Sequence, residues 1–278
     1  MRTLDGKVVA ITGAASGIGR GLALELARRG SSLALSDVDE AGLADTVTRV
    51  EAGGVREVRA DRVDVADRAA MAAYASTVAE HFGRVNVVVN NAGVSVSGHI
   101  TELSYEDLDW IVGINFWGVV HGTKEFLPHL IGSGDGHVVN LSSVFGLVSV
   151  PGQSAYNATK YAVRGFSEAL REEMLVAGHP VGVTVVHPGG VKTDIVRSSR
   201  VSDIEDKAAS VRLFDERLAK MTPERAAAII VKGVLADQPR LLVGLDAHVL
   251  HHLARLMGAR YQDLFARVSK RMLPPPPA

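Results

Sequence analysis

Tyr156 and Lys160 stand four residues apart in a stretch of helical pattern, so their side chains share one helix face. A free phenol titrates near pH ~10 and is a weak base at neutrality. An ammonium one turn away favours the phenolate, which would let the tyrosine accept an alcohol proton or hand one to a carbonyl oxygen. Such a pair also recurs by chance, so its meaning rests on what surrounds it.

A second set of residues has the types and spacing to hold a charged ligand. Thr12-Gly13-Ala14-Ala15-Ser16-Gly17-Ile18-Gly19 follows an apolar run and opens a helical one. Glycines at 13, 17 and 19 let the backbone turn sharply, admit a pyrophosphate to the amides and seat the helix close to its strand. Ser16, Gly17 and Ile18 fall at the helix's positive end. The spacing differs from the general Gly-x-Gly-x-x-Gly fingerprint, and a glycine-rich turn can be plain punctuation; its place after a first strand favours the phosphate. Asp37 ends the next apolar run. A carboxylate there accepts from both ribose hydroxyls of NAD and repels the 2′-phosphate of NADP, and no Lys or Arg follows closely in sequence to offset it. Strand-end aspartates also cap helices, a task open to Asp39 as well.

The elements that must position these residues alternate. Apolar runs at 8–12, 32–36, 85–90, 137–141 and 181–187 predict strands, and a further strand is expected near 57–63. The stretches 18–29, 40–51, 67–82, 105–130 and 154–176 predict helices, 105–130 as one long helix. Continuous apolar strands separated by helices require a parallel sheet covered on both faces, the doubly wound α/β pattern, with ligands at the carboxyl ends of the strands. After His187 the rhythm changes. Residues 190–222 are polar, helical in tendency and without a strand, which reads as a lid. Pro223 opens another helix, 241–243 predict a last strand and 246–272 a helical C-terminus; 274–278 read as a frayed polyproline II tail. One domain over 1–273 is expected.

In this order the motifs resemble those of the short-chain dehydrogenases/reductases, in their common non-extended branch. They are the glycine-rich turn; Asp64-Val65 after the third strand; Asn90-Asn91-Ala92-Gly93 after the fourth; Asn115; Ser143; Tyr156-Asn157-Ala158-Thr159-Lys160; and Pro188-Gly189-Gly190-Val191-Lys192-Thr193. The resemblance covers roughly residues 5 to 245. It implies a Rossmann-like fold and an NAD(H)-dependent exchange of hydride with a secondary alcohol or ketone. In that pattern Tyr156 is the acid/base, and Ser143 hydrogen-bonds the substrate oxygen. Lys160 holds the nicotinamide ribose and depresses the tyrosine pKa, and Asn115 anchors a proton-relaying water. Asp64 and Val65 meet the adenine and Asn91 its ribose. Val191 and Thr193 meet the carboxamide, with Ala92, Gly93, Pro188 and Gly189 along the same cofactor. The family also implies a homotetramer or homodimer pairing the two long helices. Thr159 stands where many members have serine, a small departure.

Other residues invite blander readings. Ser142 reads as structural beside Ser143, and Asn90 as a tie within the sheet. Trp110 and Trp117 read as core or subunit interface. His248, His251 and His252 have no acidic or thiolate companion at ligand spacing, so an exposed helix face is expected rather than a metal site. Arg197 and Arg200 could greet an anionic substrate or be solvated charge, and Gln153 could border the substrate pocket. Residues 94–100, 144–154 and the lid would read the substrate.

At 47% hydrophobic and 22% charged, with formal net charge −1, the chain can bury a large core and offers no general attraction to nucleic acid or an anionic membrane. It has no cysteine, which removes disulfides, thiolate ligands and thiol nucleophiles. No apolar run approaches the roughly 18 to 20 residues of a membrane span and no signal segment leads the first strand, so a cytoplasmic protein is expected. NAD favours the oxidative direction. An NADPH-dependent ketone or 3-oxoacyl reductase is the alternative, opposed by Asp37. A non-catalytic NAD-binding protein is a further one, opposed by the intact tyrosine and lysine.

Overall fold

Strands as apolar as Val8-Val9-Ala10-Ile11 and Val87-Val88-Val89 cannot leave either face in water, and the chain supplies a helix for each face. The computed structural model describes residues 1, 3–202 and 207–272; the predicted tail at 274–278 lies outside them. The first half runs β1 (Val8–Thr12), α1 (Gly17–Ala27), β2 (Ser32–Asp37), α2 (Glu40–Ala52), β3 (Val58–Arg62), α3 (Arg68–Phe82) and β4 (Val87–Asn90). A short β5 (Val96–Ser97) follows, then α4 (Tyr105–Val112), α5 (Gly118–Gly132), β6 (Gly136–Leu141), α6 (Ser154–Ala177) and β7 (Val181–Pro188). The rest is β8 (Arg200–Val201), α7 (Lys207–Leu213), α8 (Pro223–Leu235), β9 (Arg240–Val243), α9 (Leu245–Met257) and α10 (Tyr261–Met272).

Seven strands form one parallel sheet in the order β3-β2-β1-β4-β6-β7-β9. The order reverses between β1 and β4, and the diverging chains open a crevice at their carboxyl ends. One core, centred on Leu22, Leu33, Leu35 and Ile230, packs α1, α2 and α8 on one face. The other, centred on Met71, Phe126, Leu130 and Val183, packs α3, α5 and α6 on the opposite face. Helix starts are fixed by side-chain oxygens: Asp39 accepts from Gly42 N, Asp67 from Ala69 N and Ala70 N, and Ser104 from Asp107 N. Among the described residues no helix is long and apolar enough to cross a membrane.

Three expectations need correcting. The long helix expected over 105–130 is broken by a turn of π-helix, Gly113–Trp117, between α4 and α5. Turns of this kind recur at functional sites, and this one carries Asn115. The segment 190–222 does contain a strand: β8 pairs with β5 through Val96↔Arg200 and Ser97↔Val201. The C-terminal helix divides at Gly258, whose φ of +57° a helix interior cannot hold, giving α9 and α10.

Candidate active site

The glycine-rich turn joins β1 to α1 at the crevice. Gly13 and Gly17 have φ of +67° and +51°. A Cβ at residue 19 would stand 2.0 Å from the carbonyl oxygen of Gly13, and one at residue 13 would stand 2.7 Å from Ala92 Cα. Both positions therefore demand glycine. Ser16 makes no side-chain cap to α1, and the first turn holds no acidic residue, so the leading amides remain available to an anion. The cradle fits a dinucleotide pyrophosphate.

The residues that would flank such a ligand converge on this turn. Asn91 Nδ2 donates to the carbonyls of Thr12 (2.9 Å) and Gly13 (3.0 Å), and the amides of Asn91 and Ala92 both donate to Thr12 Oγ1 at 3.1 Å. Thr193 lies against Gly17, its Cγ2 3.0 Å from where a Cβ would be. Asp37 Oδ2 accepts from Ala15 N at 2.9 Å and Oδ1 from Asp39 N at 3.0 Å, which fixes the carboxylate at the rim of the turn. Asp39 caps α2, so Asp37 has no capping duty there. One neighbour was hidden by sequence distance: the exposed Arg62 is the register partner of Asp37 on β3.

Asp64 turns its carboxylate back on Ala66 N (2.9 Å), and the Val65 side chain is buried against Gly118 while its carbonyl meets His121 Nδ1 at 3.0 Å. Val191 is likewise buried and bridges to Met221. Gly189 and Gly190 are set by a residue the sequence reading missed. Asp246 Oδ2 accepts from Gly190 N at 2.7 Å and lies 2.1 Å from the position of a Cβ on Gly189. The acid stands next to a predicted strand end, but nothing in its spacing ties it to the Pro188-Gly189 turn.

The second convergence lies across the crevice, and it includes Tyr156, Lys160, Ser143 and Asn115. Ser143 Oγ accepts from Phe145 N at 3.1 Å and lies by the Tyr156 phenol, where it favours the ionised form, and the Lys160 ammonium is 5.6 Å from the centre of the tyrosine ring. A Cβ on Gly93 would lie 3.3 Å from Asn115 Oδ1 and 3.4 Å from Lys160 Nζ, so that glycine leaves the space the two polar groups share. Asn115 is fully buried and spends its amide on Val94, accepting from its N–H at 2.8 Å and donating to its carbonyl at 2.9 Å. Its Nδ2 also reaches Thr159 Oγ1 at 3.3 Å. Ser142 donates to the Lys160 carbonyl at 2.8 Å, the structural part expected of it.

The electrostatics differ from the sequence-based expectation. Burial pushes the Tyr156 phenol up to about 12, with the Ser143 hydrogen bond opposing it, and pulls Lys160 down to about 8. In the chain by itself desolvation dominates both groups. The resting pair is a neutral phenol beside an ammonium whose Nζ donates to Leu141 O at 3.0 Å.

Four further placements bear on the substrate side. Asn157, to which the sequence assigned no role, gathers the loop after Ser143 by donating to Phe145 O (2.7 Å) and Val148 O (2.9 Å). Gln153 donates to Ser97 on β5, tying the start of α6 to the small sheet. Arg197 pairs with Asp194 (2.9 Å) and Asp215 (2.7 Å), and Arg200 with Asp107 (3.1 Å), so both guanidiniums have carboxylate partners within the chain.

A family model described as short chain dehydrogenase matches residues 7–203. The SadH protein of Mycobacterium tuberculosis is 54% identical over 274 residues, covering 99% of each chain. A short-chain dehydrogenase/reductase from Burkholderia phymatum, solved in complex with NAD, superposes with a TM-score of 0.87 at 33% identity over 94% of this chain and 97% of that one. Levodione reductase superposes with a TM-score of 0.77 at 29% identity over 90% and 99%.

Proposed function

The chain belongs to the short-chain dehydrogenase family, and from that premise we propose that it interconverts a secondary alcohol and a ketone with NAD(H), using Tyr156 as the acid/base. One observation carries this reading: the Ser143 hydroxyl lies by the phenol of half-buried Tyr156 and favours its ionised form, while the buried Lys160 approaches the same ring. When bound, the nicotinamide supplies the acceptor or donor of hydride. Toward a ketone, Tyr156 gives its proton to the developing alkoxide as Ser143 donates a hydrogen bond to the same oxygen. Toward an alcohol, the deprotonated phenol takes the hydroxyl proton. Lys160 keeps positive charge beside the ring and would meet the nicotinamide ribose, and Asn115 would order a water between Lys160 and solvent.

Support for NAD over NADP comes from Asp37, held by Ala15 N at the rim of the turn where the adenosine ribose would lie. Arg20, directly after the same motif, is committed to Asp45, Thr46 and the carbonyls of Ala15 and Gly42, so it offers no cation to a 2′-phosphate. The Burkholderia phymatum neighbour was solved with NAD. Assembly of two or four copies through α5 and α6 is supported by the exposure of Trp117, Leu175 and Val176, at 49%, 67% and 90%. A panel of secondary alcohols and ketones, offered with each cofactor and followed by nicotinamide absorbance, tests the reading. Turnover by NAD(H) with at least one member is expected, and none with either cofactor would contradict it.

A further inference from the structure

His187 lies in β7 immediately before Pro188, is fully buried, and has no part in the chemistry above. The backbone ladder between β6 and β7 ends at Leu141↔Val186, with a last bond from Ser142 N to Val186 O at 2.9 Å. Ser143 is the next residue, and the strands no longer hold it. There the His187 ring takes over, with Nδ1 2.8 Å from the carbonyl oxygen of Ser143. A carbonyl only accepts, so Nδ1 carries the proton. The same oxygen accepts from Gly146 N at 2.9 Å, which closes the short turn Val144–Gly146 beginning at Ser143.

The other ring nitrogen sharpens the point. With Nδ1 protonated, Nε2 is a bare acceptor, and it has no hydrogen-bond partner among the described residues. Burying an unsatisfied acceptor costs stability that an apolar side chain of like size would not. Burial also brings the ring down to about 4, which keeps it neutral at physiological pH. Histidine is therefore a poor choice for packing alone, and its one satisfied contact is with Ser143.

We propose that His187 is a positioning residue for the alcohol–ketone reaction: its Nδ1–H clamps the Ser143 carbonyl where the sheet ends and so aims Ser143 Oγ at Tyr156. This rests on the dehydrogenase reading, and the tests separate the two. In ¹⁵N spectra of imidazole-labelled enzyme, His187 should be the neutral Nδ1–H tautomer at neutral pH; an Nε2–H tautomer would overturn the clamp without any turnover being measured. His187→Leu should lower kcat about tenfold, the scale of one neutral hydrogen bond, with KM for the dinucleotide within about twofold. His187→Asn, whose amide N–H can occupy the Nδ1 position, should recover most of that loss, whereas His187→Gln should not. Unchanged kcat in His187→Leu, or no recovery in His187→Asn when both fold, would overturn the proposal. A wild-type enzyme inactive on every alcohol and ketone would instead overturn the dehydrogenase reading.

Discussion

The guanidinium of Arg200 lies over the indole of Trp110, 4.1 Å from the ring centroid, while its Nη1 pairs with Asp107 on the same helix at 3.1 Å. With the β5–β8 pairing, this fastens the segment after Thr193 to α4. The Arg200 side chain is 41% exposed, so the ion pair by itself adds little and the stacked contact more. Arg200→Ala should cost less than about 1 kcal/mol of global stability. It should also raise KM for the alcohol or ketone about fivefold, the effect of roughly 1 kcal/mol lost from substrate binding. Limited proteolysis checks it: faster cleavage within residues 194–202 at nearly unchanged Tm is expected.

Gly19 makes the sharpest steric prediction. A methyl group there has only 2.0 Å to the Gly13 carbonyl and 2.6 Å to Asn91 Nδ2. Gly19→Ala must push the turn open, and dinucleotide affinity should fall at least about 100-fold by fluorescence titration.

For cofactor choice, Asp37→Asn removes the charge that opposes a 2′-phosphate and leaves Arg62 beside the site. KM for NADH should rise about tenfold and KM for NADPH should fall, and adding Arg62→Ala should cancel much of the NADPH gain. The ratio of kcat/KM for the two cofactors, measured across the three proteins, checks this.

Much of this arrangement was legible from residue order. Apolar runs bounded by turns gave the main strands because burial on both faces leaves no other pattern, and the glycine positions declared the close approach between β1, α1 and Ala92. The missing pieces share a cause: they depend on partners far away in the chain. β5 and β8 are two residues long and exist only through each other, and the π-turn at Asn115 carries no proline to announce it. Arg62 meets Asp37 only through strand register, and Asp246 meets Gly190 only after β9 pairs with β7. The direction of the Tyr156 shift is hidden for the same reason. The spacing to Lys160 is visible in sequence, but the burial that dominates both groups is not.

The shifted pair gives a pH signature. Because the phenol is raised to about 12, it stays protonated through neutrality; ketone reduction, which uses that proton, should be nearly flat from about pH 6 to about pH 8. Alcohol oxidation needs the deprotonated form, whose fraction grows about tenfold per pH unit below the pKa, so its rate should climb over the same range. Initial rates in both directions, with chemistry limiting, check the sign; an oxidation rate that falls with rising pH would contradict it.

The most direct test replaces Tyr156 by Phe, which keeps the ring among its neighbours and removes only the oxygen that meets Ser143. The dissociation constant for NADH should stay within about twofold while kcat falls by about 10²–10⁴-fold, the share expected of a general acid/base. Near-normal turnover by a folded, NADH-binding Tyr156→Phe enzyme would contradict the assignment of the phenol as the proton-transferring group.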